Sequence, residues 1–353
     1  MYFGCGGCEA IPKMVGYAVT SVLTNGADAW RGKLSISVKN TDVQRITVTF
    51  DGLLYDEFLP RKEVDWFGVL TSRGSHDWWL EIIAGASVEF AIESSDGVTC
   101  RRMEIRDEAE ISEAICGGDG SVYLKIIFSP AADVFKRCGY NEYYKITGWL
   151  RDMSMLRAGM TTRFAADDLE GEVGCHYRDG MRSYIMEADY ARYSQHPECL
   201  HFAAIEKDMK VECYLRFVHT GTPYVKNFVN YYPTQGGSHL EGLGKALRKL
   251  FPDSTRGCRQ SRFVTNPDTG KGVVIPRPFI GVMHLQLENP QYHGPTRDVL
   301  MRDEVSEFVY RAAAETLKEQ LAILNPPIDY EAIYKTTMET INKMTSDSND
   351  SSG

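Results

Sequence analysis

The chain has 353 residues, 43% of them apolar and 25% charged, with a formal net charge of −9. That length fits about two domains with substantial cores, and the composition excludes a disordered chain, a collagen and a disulfide miniprotein. An acidic balance also excludes a protein that coats DNA by neutralising phosphates over its whole surface, although a local basic lining stays open.

The first residues are no signal peptide, because Gly4, Gly6, Gly7 and Glu9 interrupt any apolar core. No later run reaches the about 18–20 apolar residues of a membrane helix, so a soluble, cytoplasmic protein without a membrane partner is expected. Cys5 and Cys8 form a C-x-x-C, but no second pair completes a zinc site and no metal is expected. The nine cysteines, odd in number and scattered, fit reduced thiols. From Pro12 to Trp30 a helical stripe runs through Met14, Val15, Ala18, Val19, Val22 and Leu23. Alternation predicts strands at Lys33–Lys39 and Arg45–Phe50, and further strands at Trp79–Ile83, Val88–Ile92, Cys100–Ile105 and Val122–Phe128. Helical patterns cover Tyr140–Met155 and Gly180–Tyr193.

A second region begins near Leu200. Strands are expected at Lys210–His219, Val225–Tyr231 and Phe279–Leu287, with helices at Gly237–Leu250 and Asp303–Leu324. A short helix at Tyr330–Met344 and a Ser/Asp/Asn/Gly tail from Thr345, expected to be disordered, close the chain. The mixture in two blocks reads as two α+β domains.

Five segments in order carry a resemblance. Met1-Tyr2-Phe3-Gly4 looks like M-Y-I-G, and Tyr177-Arg178-Asp179-Gly180-Met181 like Y-x-G-G-I. Glu206-Lys207-Asp208 precedes a strand. Phe228-Val229-Asn230 followed by Gly236-Gly237-Ser238-His239-Leu240-Glu241-Gly242 is similar to F-x-N-x-I-x-x-x-x-G-G-T-H-x-x-G. Asn289-Pro290-Gln291-Tyr292-His293-Gly294-Pro295-Thr296-Arg297 is similar to N-P-Q-F-E-G-Q-T-K. Together they resemble the ATPase-plus-transducer region of the B subunit of type IIA topoisomerases, bacterial gyrase B and topoisomerase IV. The resemblance implies a GHKL (Bergerat) ATPase-like sandwich over residues 1–170, a connecting helix over 171–199, a ribosomal-S5-like transducer over 200–325 and a terminal helix over 326–344. It also implies a DNA-topology context, with no counterpart of the TOPRIM and DNA-cleaving segments.

In that family a carboxylate on the first helix activates water, an Asn holds Mg²⁺, an Asp reads adenine and a glycine-rich lid cradles phosphates. Matching E-x-x-D-N-x-x-D-E to Ser21-Val22-Leu23-Thr24-Asn25-Gly26-Ala27-Asp28-Ala29 keeps Asn25 and Asp28 but puts Ser21 at the general base. A protonated hydroxyl cannot replace a carboxylate base at neutral pH. The motif D-x-G-x-G falls on Phe50-Asp51-Gly52-Leu53-Leu54, so the adenine reader is displaced. Only the fifteen residues Leu53 to Phe67 precede Gly68-Val69, leaving little lid. The transducer lysine that reaches the γ-phosphate is Arg297, and the neighbouring Gln is Pro295. The relict nucleotide site is therefore Asn25, Asp28, Asp51, Gly52, Gly68 and Arg297, with no catalytic residue expected and no cofactor required; ATP and Mg²⁺ stay open as ligands. The plainer readings are a turn at Asp51-Gly52, a loop into a helix with Ser238 as N-cap, packing for Trp78-Trp79, and satisfied histidines at His176, His239 and His284.

Three functions follow. The first is a non-hydrolysing module that binds itself as a homodimer or binds a gyrase or topoisomerase subunit. The second is a working ATPase subunit encoded apart from its cleavage domains. The third is a DNA clamp lined by Arg248, Lys249, Arg256, Arg259 and Arg262. Because the family's dimerising arm precedes the M-Y-I-G segment, any dimer is expected to be constitutive and indifferent to nucleotide.

Overall fold

The computed structural model describes residues 10–24, 30–53, 79–106, 110–188, 198–217, 224–251, 261–268, 270–275, 279–294, 297–324 and 339. They divide into two compact units, Met1–Gly180 and Met181–Gly353.

The first unit carries helix α1 (Ala10–Thr24), strands β1 (Lys33–Asn40) and β2 (Gln44–Asp51), helix α2 (Trp79–Gly85), strands β3 (Ser87–Asp96), β4 (Thr99–Arg106), β5 (Glu110–Gly117) and β6 (Val122–Pro130), helix α3 (Tyr140–Leu156), and strands β7 (Thr161–Ala166) and β8 (Val173–His176). The strands form one eight-stranded sheet in the order β5-β4-β3-β6-β2-β1-β7-β8. Every pairing is antiparallel except β1 with β7, where the chain returns through α3. Leu34, Ile36 and Val38 alternate with half-buried or exposed residues on β1, as do Ile46, Val48 and Phe50 on β2, giving the sheet one apolar and one polar face. α1 packs against α2, α3 and β2 and is buried on nearly every side, and apart from Lys13 its residues carry no charge. At the start of α3 the Glu142 carboxylate accepts the Gly139 N–H at 2.9 Å, satisfying an end donor of the helix.

Two expectations are corrected here. Residues Trp79–Ile83 form helix α2, not a strand: Leu80 and Ile83, three apart, are both buried, and the Ala86 N–H closes the turn onto the Ile82 and Ile83 carbonyls. A five-residue stretch with four apolar residues fits either period, and here packing decides. The first helix is described as far as Thr24, residues 25–29 lie outside the described residues, and Trp30 is not helical.

The second unit opens with α4 (Met181–Ala188), followed by β9 (Leu200–Glu206), β10 (Met209–Phe217), β11 (Tyr224–Val229), β12 (Tyr232–Pro233), β13 (Gly236–Gly237), α5 (Ser238–Leu250), the β14–β15 hairpin (Ser261–Asn266, Lys271–Ile275), β16 (Phe279–Leu287), β17 (Val299–Leu300) and α6 (Asp303–Ile323). Its five-stranded sheet runs β12-β11-β16-β10-β9, with only β11 and β16 parallel. The core joins Leu240, Leu243 and Leu247 of α5 with Val305, Phe308 and Val309 of α6 and Met283 and Leu285 of β16. The predicted helix over residues 237–250 is therefore packed on the sheet that contains Phe279–Leu287, as the sequence requires. The terminal helix and tail predicted from Tyr330 lie outside the described residues, apart from Glu339.

The Gly236-Gly237-Ser238-His239 segment is shaped by close approach. Gly237 has φ +130, and a Cβ there would lie 2.5 Å from the backbone of Leu300, so only glycine fits. Ser238, expected as the N-cap, is instead the first helical residue; Gly237 holds the cap position. The Ser238 hydroxyl donates to the Leu300 carbonyl at 3.1 Å and accepts the Arg302 N–H at 3.0 Å, tying α5 to the start of α6. Arg302 in turn reaches Asp208 at 2.7 Å, which accounts for the last residue of the Glu206-Lys207-Asp208 motif.

His239 is fully buried, with Nε2 2.7 Å from the Asn227 side-chain oxygen and 3.2 Å from the Thr234 hydroxyl. Burial lowers its pKa to about 3, so the ring is neutral in the fold. An unfolded histidine takes up a proton near pH 6.5, so the folded state binds fewer protons below that pH. Stability is full above pH 6.5 and is lost as the pH falls toward 3, by about 2 kcal/mol between pH 6.5 and 5. Urea unfolding followed through the second unit should show this slope, and His239→Gln should remove most of it.

Candidate nucleotide site

The expected nucleotide site falls at the C-terminal end of α1 and the end of β2. Ser21 lies in α1, 2% exposed, and its hydroxyl has no hydrogen-bond partner among the described residues. Its neighbours in the sequence are equally enclosed, from Thr20, whose hydroxyl bonds back to the Gly16 carbonyl at 2.8 Å, to Val22 and Leu23. A group so enclosed is shielded from bulk water, and a neutral hydroxyl is too weak a base to deprotonate one. Asn25, Asp28 and Gly68 lie outside the described residues.

At the end of β2 lies Phe50, the residue that the D-x-G-x-G match sets against the adenine-reading Asp. It is fully buried and meets the Trp30 ring edge-on at 5.5 Å. The next residues make a turn. Gly52 has φ +74 and donates its N–H to the Val122 carbonyl at 2.7 Å, while the Asp51 carboxylate pairs with Lys33 at 3.5 Å on a half-exposed surface. The Trp30 indole donates to the Asp51 carbonyl at 3.1 Å. Gly32 is pressed against this corner: a Cβ would stand 2.3 Å from the Asp51 oxygen.

Arg157, just after α3, is the residue that sequence reasoning missed. It is 2% exposed and donates to the Trp30 carbonyl at 3.0 Å and the Leu23 carbonyl at 3.2 Å. A guanidinium at the C-terminal end of α1 complements the helix dipole and ties the helix end to the Trp30 corner. Nothing local marked it, since Leu156-Arg157-Ala158-Gly159 reads as an ordinary helix end.

Arg297 belongs to the second unit, where it has φ +56 and stacks its guanidinium 5.7 Å from the Tyr292 ring centre. Of the basic stretch, Arg248 and Lys249 sit in the last turn of α5. Arg248 donates to the Gly244 carbonyl at 3.2 Å and Lys249 to the Tyr310 hydroxyl at 3.0 Å. Arg256, Arg259 and the Arg262 side chain lie outside the described residues, as do Cys5, Cys8 and the Trp78-Trp79 side chains. His176 bonds Thr161 and the Met160 carbonyl, both at 3.3 Å, and His284 is enclosed beside Tyr231. No metal-ligand cluster occurs and no helix is long and apolar enough to cross a membrane, among the described residues.

A helix-covered mixed sheet followed by a five-stranded sheet carrying two packed helices has the fold expected of a GHKL-like sandwich followed by an S5-like transducer. Comparison makes the likeness specific. Residues 180–349 match the family model described as DNA gyrase B. The B subunit of DNA gyrase from Synechocystis is 25% identical over 268 residues, which is 74% of this chain and 24% of that protein. Its counterpart from Chlamydia muridarum is 23% identical over 70% of this chain and 31% of its own length. The aligned part thus spans about a quarter to a third of these relatives. The 43K ATPase domain of Thermus thermophilus gyrase B, solved with an aminocoumarin, superposes with TM-score 0.68 at 18% identity over 99% of this chain and 95% of that one. The B-subunit of the Myxococcus xanthus gyrase gives 0.69 at 16% identity over 92% and 93%. The chain is similar to the ATPase-plus-transducer region of type IIA topoisomerase B subunits, and it has their fold.

Proposed function

We propose that the chain acts in DNA topology as a gyrase-B-like module that does not hydrolyse ATP, working as partner, regulator or accessory subunit of a gyrase or topoisomerase. The observation that carries this is Ser21, a buried hydroxyl at the general-base position. Phe50 in place of the adenine-reading carboxylate and the Asp51–Lys33 ion pair support the same reading. Asn25, Asp28, Asp51, Gly52, Gly68 and Arg297 are what remains of a nucleotide site, with ATP and Mg²⁺ as its ligands if it still binds. A second copy of the chain, a topoisomerase subunit and DNA are the partners this reading offers, Arg248 and Lys249 being the described part of a DNA-facing stretch.

Steady-state phosphate release tests the reading. Purified chain with ATP and Mg²⁺, with and without duplex DNA, should show no turnover above the buffer rate. Turnover that disappears on Asn25→Ala would establish the working-subunit alternative in its place.

A further inference from the structure

The sheet edge of the first unit carries a chemistry that the nucleotide site does not use. β4 and β5 pair in antiparallel register with Cys100 directly opposite Cys116, and β5 is the edge strand among the described residues. Facing residues point to the same side of the sheet, so the two thiols project together. Facing Cα atoms in antiparallel pairs lie about 4.5–5.5 Å apart, inside the about 4.4–6.8 Å window of a disulfide. The Cys116 sulfur lies 3.7 Å from the Cys100 carbonyl oxygen. Next to the pair, the Gly118 N–H bonds the Val98 carbonyl at 2.6 Å, and a Cβ on Gly118 would stand 2.6 Å from Gly97, so this corner holds the strand ends in register.

The two thiols differ in access. Cys116 is exposed, whereas Cys100 is buried, with its sulfur 3.6 Å from the Tyr123 hydroxyl. Burial raises the Cys100 pKa, and the Glu93 carboxylate and the Cys116 thiol add to the rise. That asymmetry separates an entering thiol from a resolving one.

We propose that Cys100 and Cys116 form a redox-active pair that takes a small disulfide, such as oxidised glutathione, as its oxidant and closes a cross-strand disulfide at the sheet edge. The Cys116 thiolate attacks one sulfur of the oxidant, breaking its S–S bond and expelling one glutathione thiolate, which takes up a proton. The Cys100 thiolate then attacks the Cys116 sulfur of the mixed disulfide and expels the second glutathione. Two protein thiols are oxidised and one disulfide is reduced to two thiols. The product joins β4 and β5 at the open end of their hairpin and restrains a strand that pairs on one side only among the described residues.

Full-length chain treated with oxidised glutathione, acid-quenched, alkylated and digested should yield a Cys100–Cys116 linked peptide that a dithiol reductant removes. Amides of residues 110–117 should then exchange with solvent slower by on the order of tenfold or more. Cys100→Ser should stop at a glutathione adduct on Cys116, and Cys116→Ser should leave Cys100 at least about tenfold less labelled than Cys116 in the other variant. The mapping on the unsubstituted chain decides the matter even if a variant fails to fold. The proposal is overturned if Cys116 accumulates as a lasting mixed disulfide there, if both cysteines remain alkylatable, or if either is found joined to another cysteine.

Discussion

Gly242→Ala should destabilise the second unit by about 2 kcal/mol or more, against the ordinary preference of helices for alanine. A Cβ at Gly242 would lie 2.3 Å from the Ser306 carbonyl oxygen and 3.0 Å from the Val309 Cβ, so α5 and α6 would have to move apart. Both helices are fixed by the same core and by the Ser238–Arg302 bond, so the strain has no cheap outlet. Gly148 in α3 is the control: a Cβ there meets nothing within 4 Å. Gly148→Ala should stabilise the first unit by about 0.5–1 kcal/mol through helix propensity and the lost freedom of the unfolded chain. Opposite signs in urea melts are expected, and equal signs would show that the α5–α6 crossing is looser than described.

Ser21→Glu should have the other large effect. It restores the family's carboxylate in sequence but places a charge in a packed helix face where Ser21 is 2% exposed and unbonded among the described residues. An uncompensated buried charge costs about 3–5 kcal/mol, so the variant should melt far below the parent and gain no ATPase. Ser21→Ala removes a buried hydroxyl and favours the helix, and should stabilise by about 0.5–1 kcal/mol. A stable Ser21→Glu protein with phosphate release would mean that the helix face opens to water.

The elements that were legible in the sequence are those with one dominant period. β1, β2 and β16 and helices α3, α5 and α6 fall within a residue or two of their predicted bounds, because each buries one unbroken apolar set. Trp79–Ile83 reads as a strand because so short an apolar-rich stretch fits either period. β7 and β8 were missed because Thr161, Thr162 and Ala165 give little contrast, and β7 is placed by its parallel pairing with β1 across the α3 crossover. β5, β9 and the β14–β15 hairpin were likewise missed, being defined by their partners along the ladder. At the candidate site, the resemblance alone singles out Ser21 and Phe50, as departures from the family's motifs. Arg157 could not, because its role depends on the Leu23 and Trp30 carbonyls, more than a hundred residues away in the chain.

The central claim concerns chemistry at one helix face, and a single-turnover experiment tests it most directly. With chain in excess over labelled ATP and Mg²⁺, slow product release cannot hide a hydrolytic step. The account predicts phosphate at the buffer rate throughout, with and without DNA. A burst approaching one phosphate per ATP, lost in Asn25→Ala, would contradict it.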